Sequence, residues 1–233
     1  MKVYITGVSG GLGKALAEKY IKKEKNVIGF GRNCSINHPK FKFIKADLSK
    51  INEIAQVKFE DDDHVLLINN AGVIGQVKRL SDQNDYDCEE VMMVNTIAPM
   101  ILSANLMKST SINSQIIILN ISSGASSRSI PSWSSYCASK AALDRFSETF
   151  YLEEKEKGRN IRVLSIAPGV LDTAMQDKIR GASDKDFSSL GLFQTLKEEH
   201  ELLSPDTVAQ KLVQLMENET KELIIGSLKT LSQ

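Results

Sequence analysis

The sequence predicts an α/β fold, a doubly wound parallel sheet with helices on both faces, and three observations lead to it. Short segments rich in Ile, Val and Leu take turns with longer segments of helical period. The short segments are apolar without a break, as strands covered on both faces are. No repeat, low-complexity linker or shift of composition divides the 233 residues, so one domain over 1–233 is expected.

The elements follow in order. "KVYIT" gives a strand at 2–6, and the glycine-rich turn after it opens a helix at 12–23. Strands at 26–30, 41–46 and 64–69 come next, each short and mostly aliphatic. Apolar residues at helical spacing then run over 85–108, a strand "QIIILNI" lies at 115–121, and a second long helix is read over 136–157. A strand at 161–166, a helix at 205–218 and a strand at 222–225 complete a sheet of seven. Between 172 and 204 glycine, serine and charge interrupt any period. That stretch is either a mobile flap or a small irregular helical insertion, and it is placed to form a lid over a substrate.

Composition excludes several classes. Twenty-nine basic and 29 acidic residues cancel and form no basic stripe, so no nucleic-acid partner is expected. Cys34, Cys88 and Cys137 are odd in number and make no CxxC pair, and His38, His64 and His200 are scattered, so neither a disulfide framework nor a metal site is expected. "MKVYITG" passes directly into a strand, and the runs "VLLI" and "IIIL" are too short to span a bilayer. A cytoplasmic protein with no membrane association is the expectation.

In a parallel doubly wound sheet, ligands bind outside the carboxyl ends of the strands. The first strand ends in "TGVSGGLG", where Gly7, Gly11 and Gly13 let backbone amides approach a pyrophosphate, with Ser9 and Leu12 in the same loop. The second ends in "GFGRN". A carboxylate here would accept from ribose hydroxyls and repel a 2′-phosphate, but the position holds Gly31 followed by Arg32. Arg32 is either a phosphate fork or a surface arginine. Asp47, beside Leu48 after the third strand, either meets an adenine amino group or caps the next helix. "NNAG" ends the fourth strand with Asn70, Ala71 and Gly72, "NISSG" delivers Ser122 and Ser123, and "APGVLDT" brings Pro168, Gly169, Val170 and Thr173. The whole rim is glycine, hydroxyl and amide.

The stretch "SSYCASKAALD" places Tyr136 and Lys140 one helical turn apart on one face. An ammonium beside a phenol is expected to lower the phenol's pKa from its ordinary value of about 10.

"TGVSGGLG", "NNAG", Asn95 in "VNTIAP", Ser123 in "ISSG", "YCASK" and "PGVLDT" occur in this order over nearly the whole chain. Together they resemble the short-chain dehydrogenase/reductase family of the single-domain type. The resemblance implies a seven-stranded Rossmann fold, a nicotinamide cofactor, and a catalytic tetrad that falls on Asn95, Ser123, Tyr136 and Lys140. Ser123 is taken rather than Ser122 because the family's serine lies thirteen positions before its tyrosine. Tyr136 is then the general acid/base, Ser123 the donor to the carbonyl oxygen and Lys140 a binder of the ribose hydroxyls. Asn95 orders a water in the proton supply. "IPSWSSYCASKAALD" looks further like the sepiapterin reductase and benzil reductase branch.

These readings give an NADP(H)-dependent oxidoreductase that reduces a ketone or diketone, with NADP(H) preferred over NAD(H) through Arg32. Gly10 stands where many NADP-using relatives have a basic residue, so the preference rests on Arg32 and on Gly31. The alternatives are a non-catalytic NADP-binding regulatory module and an NAD-dependent alcohol dehydrogenase working in the oxidising direction. An extended-type epimerase needs a C-terminal substrate domain for which 233 residues leave no room. Ser123, Tyr136, Trp133 and Leu171, with Ile130, Pro131, Val73 and Ile74, would wall an apolar substrate pocket, unless Trp133 merely packs at a subunit surface. The two long helices resemble the family's dimer-forming bundle, so a homodimer or homotetramer is expected.

Overall fold

The apolar runs form β1 (Lys2–Thr6), β2 (Asn26–Gly31), β3 (Phe41–Lys45), β4 (His64–Asn69), β5 (Gln115–Ile121), β6 (Ile161–Ala167) and β7 (Leu223–Ser227). In the computed structural model, which describes residues 1–231, they join in one parallel sheet of order β3-β2-β1-β4-β5-β6-β7. Strand order reverses between β1 and β4, so a crevice opens beyond their carboxyl ends.

Both faces of the sheet are buried, which is why the strands lack alternation. Val3, Ile5, Leu66 and Ile68 pack on one side under Leu16 and Tyr20 of α1 (Gly11–Lys22) and Val208 and Leu212 of α8 (Pro205–Asn218). Tyr4, Leu67 and Ile118 point the other way, against Leu102 and Leu106 of α4 (Ala98–Ser109) and Phe150 of α5 (Ser134–Glu156). Together with the seven-stranded parallel sheet, this is the single-domain Rossmann architecture the sequence predicted.

The expected helix at 85–108 is not uniform. It comprises α3 (Asp85–Met92), a π-helical stretch at Met93–Ile97, and α4. Taken as one, Asp85–Ser109 is long and apolar enough to cross a membrane, although the apolar runs read from the sequence fell short of that. Here more than half of its most apolar window is buried inside the fold. A short helix, α2 (Ile51–Ala55), was not predicted, because only Ile54 in it is buried and five residues show no period. The 172–204 region is the helical insertion of the two alternatives, with α6 (Ala174–Arg180) and α7 (Leu190–Glu198). Leu171 pairs with Leu203 at its neck, where Asp172 N donates to the Leu203 carbonyl and Leu203 N to that of Val170. A final short helix, α9 (Leu228–Leu231), follows β7 directly.

The turn after β1 depends on close approach. A Cβ on Gly13 would stand 2.2 Å from the Gly7 carbonyl oxygen and 2.4 Å from Asn70 Nδ2, so only hydrogen fits. Gly10, with extended backbone, would place a Cβ in open space. Gly13→Ala should therefore lower the unfolding free energy by about 1–3 kcal/mol, the usual cost of overpacking. Gly10→Ala should leave it within about 0.5 kcal/mol. Urea unfolding of the two variants checks the contrast; equal losses would contradict it.

Candidate active site

The carboxyl ends of the strands open into one cleft of about 1490 Å³. At one end lie Gly7, Ser9, Gly11 and Leu12, where α1 begins with no side-chain cap and no acidic residue in its first turn. Free amides at an uncapped helix N-terminus suit an anion. Arg32, Asp47 and Leu48 line the same end. Asp47 Oδ1 accepts from Ser49 N at 3.0 Å and Ser49 Oγ at 2.8 Å, so it holds its own turn, and Lys50 rather than Asp47 is the N-cap of α2. These bonds, with smaller help from Arg32, hold the Asp47 carboxyl below the usual carboxylate range.

Asn70, Ala71 and Gly72 line the centre of the cleft, and Pro168, Gly169, Val170, Leu171 and Thr173 its opposite rim. Asn70 Nδ2 donates to the Thr6 carbonyl at 2.9 Å, tying the β4 loop to β1. Gly13 and Asn95 do not reach the cleft. Gly13 lies beneath the loop, and Asn95 is fully buried behind Gly72.

The π-helical stretch carries Asn95 inward. Its Nδ2 donates to the Val73 carbonyl at 2.9 Å and to Ser139 Oγ at 3.0 Å, and its Oδ1 accepts from Val73 N at 2.8 Å. Both amide hydrogens are thus spent on the protein, which leaves one oxygen lone pair for the expected water. Nothing in the sequence marked Ser139 or Val73 as its partners.

Ser123 and Tyr136 both line the cleft wall, and Ser123 Oγ accepts from Ala125 N at 3.2 Å. Ser122, next to them, has a buried hydroxyl with no partner among the described residues. Lys140 is 4% exposed and donates from Nζ to the Ile121 carbonyl at 2.8 Å. Burial pushes its pKa down to about 8, with Asp144 acting weakly in the opposite direction. The expected lowering of the Tyr136 pKa by Lys140 is not found. Nζ stands 5.9 Å from the centre of the phenol ring, and burial raises the phenol while the Ser123 hydroxyl opposes the rise. Desolvation wins because the lysine is itself deeply buried and bonded elsewhere.

Trp133 is 6% exposed and belongs to the cleft wall, not to an outer surface. It stacks on Phe187 at 5.6 Å and 15°, tilts against Phe193 at 5.2 Å and meets Tyr136 edge-on at 5.6 Å. The Ser132 hydroxyl donates to the Asp186 carbonyl beside it. The insertion is thereby docked on the segment that leads into α5. Phe187, Phe193 and Gln176 of the insertion were missed in the sequence, where irregular spacing hid them.

Similarity to known proteins agrees with this geometry. Residues 1–184 match the short chain dehydrogenase family. The benzil reductase ((S)-benzoin forming) of Bacillus subtilis (strain 168) is 35% identical, covering 98% of this chain and 99% of that protein. The sepiapterin reductase of Meriones unguiculatus is 29% identical, over 93% of this chain and 91% of its own length. The crystal structure of the KRED1-Pglu enzyme superposes with a TM-score of 0.81 at 26% identity, covering 95% of this chain and 96% of that one.

The depressed Lys140 pKa makes a claim about stability. Folded Lys140 releases its proton near pH 8, whereas an unfolded lysine holds it to about 10.4. Between these values the unfolded state binds more protons, so stability must rise with pH. Tyr136, shifted upward, works the other way as pH nears 10, and its contribution is common to both chains compared. The unfolding free energy of the cofactor-free chain, relative to Lys140→Met, should climb from about pH 8 to pH 10. Paired melts across that range check it, and a flat or falling difference would contradict the assignment.

Proposed function

The chain belongs to the short-chain dehydrogenase family, an oxidoreductase of CH–OH and C=O groups with a nicotinamide cofactor, and from that premise we propose that it reduces a flat, apolar ketone or vicinal diketone with NADPH. The observation that carries the proposal is that Ser123 and Tyr136 line one cleft wall, with buried Trp133 edge-on to Tyr136. The 35% identical relative named for benzil reduction supports the substrate class.

The residues lining the cleft support a place for the cofactor. The uncapped start of α1 would take the pyrophosphate, with Gly7, Ser9, Gly11 and Leu12 around it. Asp47, Leu48, Asn70, Ala71 and Gly72 would hold the nucleoside side, and Pro168, Gly169, Val170 and Thr173 the nicotinamide side. A Cβ on Gly72 would come within 3.5 Å of Asn95 Oδ1 and 3.7 Å of Lys140 Nζ, so glycine keeps the way to Lys140 open. The bound nicotinamide supplies the hydride.

The chain's own residues manage the proton and the charge. Tyr136, kept protonated by burial, donates to the carbonyl oxygen as charge develops there. Ser123 donates a second hydrogen bond to the same oxygen. Lys140 binds ribose hydroxyls and sustains the phenolate that donation leaves behind, and Asn95 fixes the loop after β4 against α5. The insertion at 172–204 closes the substrate side as a lid, with Leu171 at its hinge. A purely regulatory cofactor-binding role leaves the hydroxyl pair and aromatic wall without use.

NADP over NAD rests on two residues. The Arg32 guanidinium makes no hydrogen bond or ion pair among the described residues, though it lines the cleft. Gly31 has room for a side chain, its Cβ lying 3.7 Å from the nearest atom, yet carries no acid. We also propose a cytoplasmic homodimer or homotetramer. Exposed Tyr86, Met100 and Leu152 on α3, α4 and α5 offer the apolar surface, and the three free thiols fit a reducing compartment.

Two variants test this reading. Tyr136→Phe should lower turnover of an aryl diketone by at least about 10²–10⁴-fold while NADPH affinity is kept, and near-normal turnover would overturn the role. Arg32→Ala should weaken NADPH by about 1.5–3 kcal/mol and leave NADH nearly untouched. Calorimetry with both cofactors checks that, and equal losses would reject the phosphate contact.

A further inference from the structure

Asp87 is a buried carboxylate turned toward a loop rather than toward its own helix. It stands in the first turn of α3, where an acidic side chain ordinarily serves the free amides of its helix. Asn84 takes that duty instead, its Oδ1 accepting from Asp87 N at 3.0 Å. The Asp87 side chain reaches the loop after β4, and both its oxygens lie 2.9 Å from Gln76 N. The residue is 9% exposed and forms no ion pair among the described residues. Burying a carboxylate without a cation is costly, so its charge is concentrated on the one amide it meets.

The loop is shaped to receive it. Gly75 has a φ of +72°, and a Cβ there would stand 2.5 Å from Asp87 Oδ2 and 2.7 Å from Val91 Cγ2. Only glycine lets the carboxylate come this close. Gln83 holds the same loop by its carbonyls, Nε2 donating to that of Gln76 at 3.2 Å and that of Lys78 at 2.8 Å. Its Oε1 accepts from Ser135 Oγ at 3.4 Å, one residue before Tyr136 in the first turn of α5. Both backbone groups of Gln76 are thus fixed, as Asn95 fixes both of Val73. Between the two anchors lies Ile74. It is 4% exposed, lines the cleft and belongs with Val77 to the buried cluster of Trp133, Tyr136 and Phe187.

We propose that Asp87, assisted by Gln83, is a positioning residue that fixes Ile74 in the substrate wall and so adapts the cleft to a large diketone. The inference rests on the carbonyl-reductase reading above and adds the residue that sets the shape of the pocket. Asp87 does not itself line the cleft, so it acts on the reaction through the loop. Without its carboxylate the Gln76 amide loses its acceptor, Gly75 is free to turn, and Ile74 leaves its place. A two-ringed diketone needs that wall along its length, whereas one of four carbons does not.

The test compares benzil with butane-2,3-dione. Values of kcat and KM with NADPH are measured for the wild-type chain, Asp87→Ala and Asp87→Asn, with NADPH affinity followed by calorimetry. Asp87→Ala should raise KM for benzil at least about 5-fold, the lower bound for a donor that loses its acceptor. Values of kcat, the KM for butane-2,3-dione and the NADPH affinity should stay within about 2-fold, as expected of sites that are not coupled to the change. Asp87→Asn, whose Oδ1 can accept from the same amide, should restore most of the loss. Ile74→Ala should give the same selective rise, and adding Asp87→Ala to it should raise KM no further, because the two changes act on one wall. Gln83→Met frees the Gln76 carbonyl, should act as a weaker Asp87→Ala, and covers the case of an alanine variant that does not fold.

An unchanged KM for benzil, an equal rise for both diketones, an asparagine variant no better than alanine, or losses that add in the double variant would overturn the positioning role and leave the carbonyl-reductase reading intact. A wild-type chain that reduces neither diketone overturns both.

Discussion

The structure turns on how a buried asparagine satisfies itself. Asn95 is fully excluded from water, and its carboxamide finds partners only because the helix around it widens into a π-helical stretch at Met93–Ile97. Widening of this kind re-aims a side chain and is found often at functional sites. Here it lets one side chain grip the loop after β4 through both backbone groups of Val73 and grip α5 through Ser139. The loop bears Gly72 and the helix bears Tyr136 and Lys140, so one amide sets the spacing between the rim of the sheet and the reactive face of α5.

Burial then decides the protonation states at that face. Lys140 and Tyr136 are both desolvated, and each is pushed toward its neutral form, the lysine to about 8 and the phenol upward. Proximity alone argued for a lowered phenol pKa, but desolvation is the larger effect in the cofactor-free chain. A protonated phenol is the form that can give a proton to a carbonyl, and at neutral pH the phenol is protonated with or without the shift. The same burial leaves the Trp133 N–H and the Ser122 hydroxyl without hydrogen-bond partners among the described residues.

The sheet was legible because strands covered on both faces read as unbroken apolar runs, and Val3, Tyr4 and Ile5 send neighbours to opposite cores without any polar gap. The motif residues were legible too, since the parallel topology brings every strand's carboxyl end to one rim. The interruption at Met93–Ile97 was not, because one extra residue in a helical turn hardly disturbs the apolar spacing of its neighbours. Phe187 and Phe193 escaped because their partner is Trp133, more than fifty positions away, and no local period records such a contact. Of the two readings of Asp47 only the helix cap is excluded, since an aspartate two residues before a serine builds its own turn as readily as it caps a helix.

The central proposal is direct hydride delivery to a carbonyl carbon at the wall formed by Ser123, Tyr136 and Trp133. Reduction of benzil with NADPH deuterated at the transferring C4 position, followed by mass spectrometry and NMR of the product, tests it most directly. One deuteron on the new carbinol carbon, with the hydroxyl proton drawn from solvent, is the predicted result. A product without deuterium at that carbon, or no reduction at all, would contradict it.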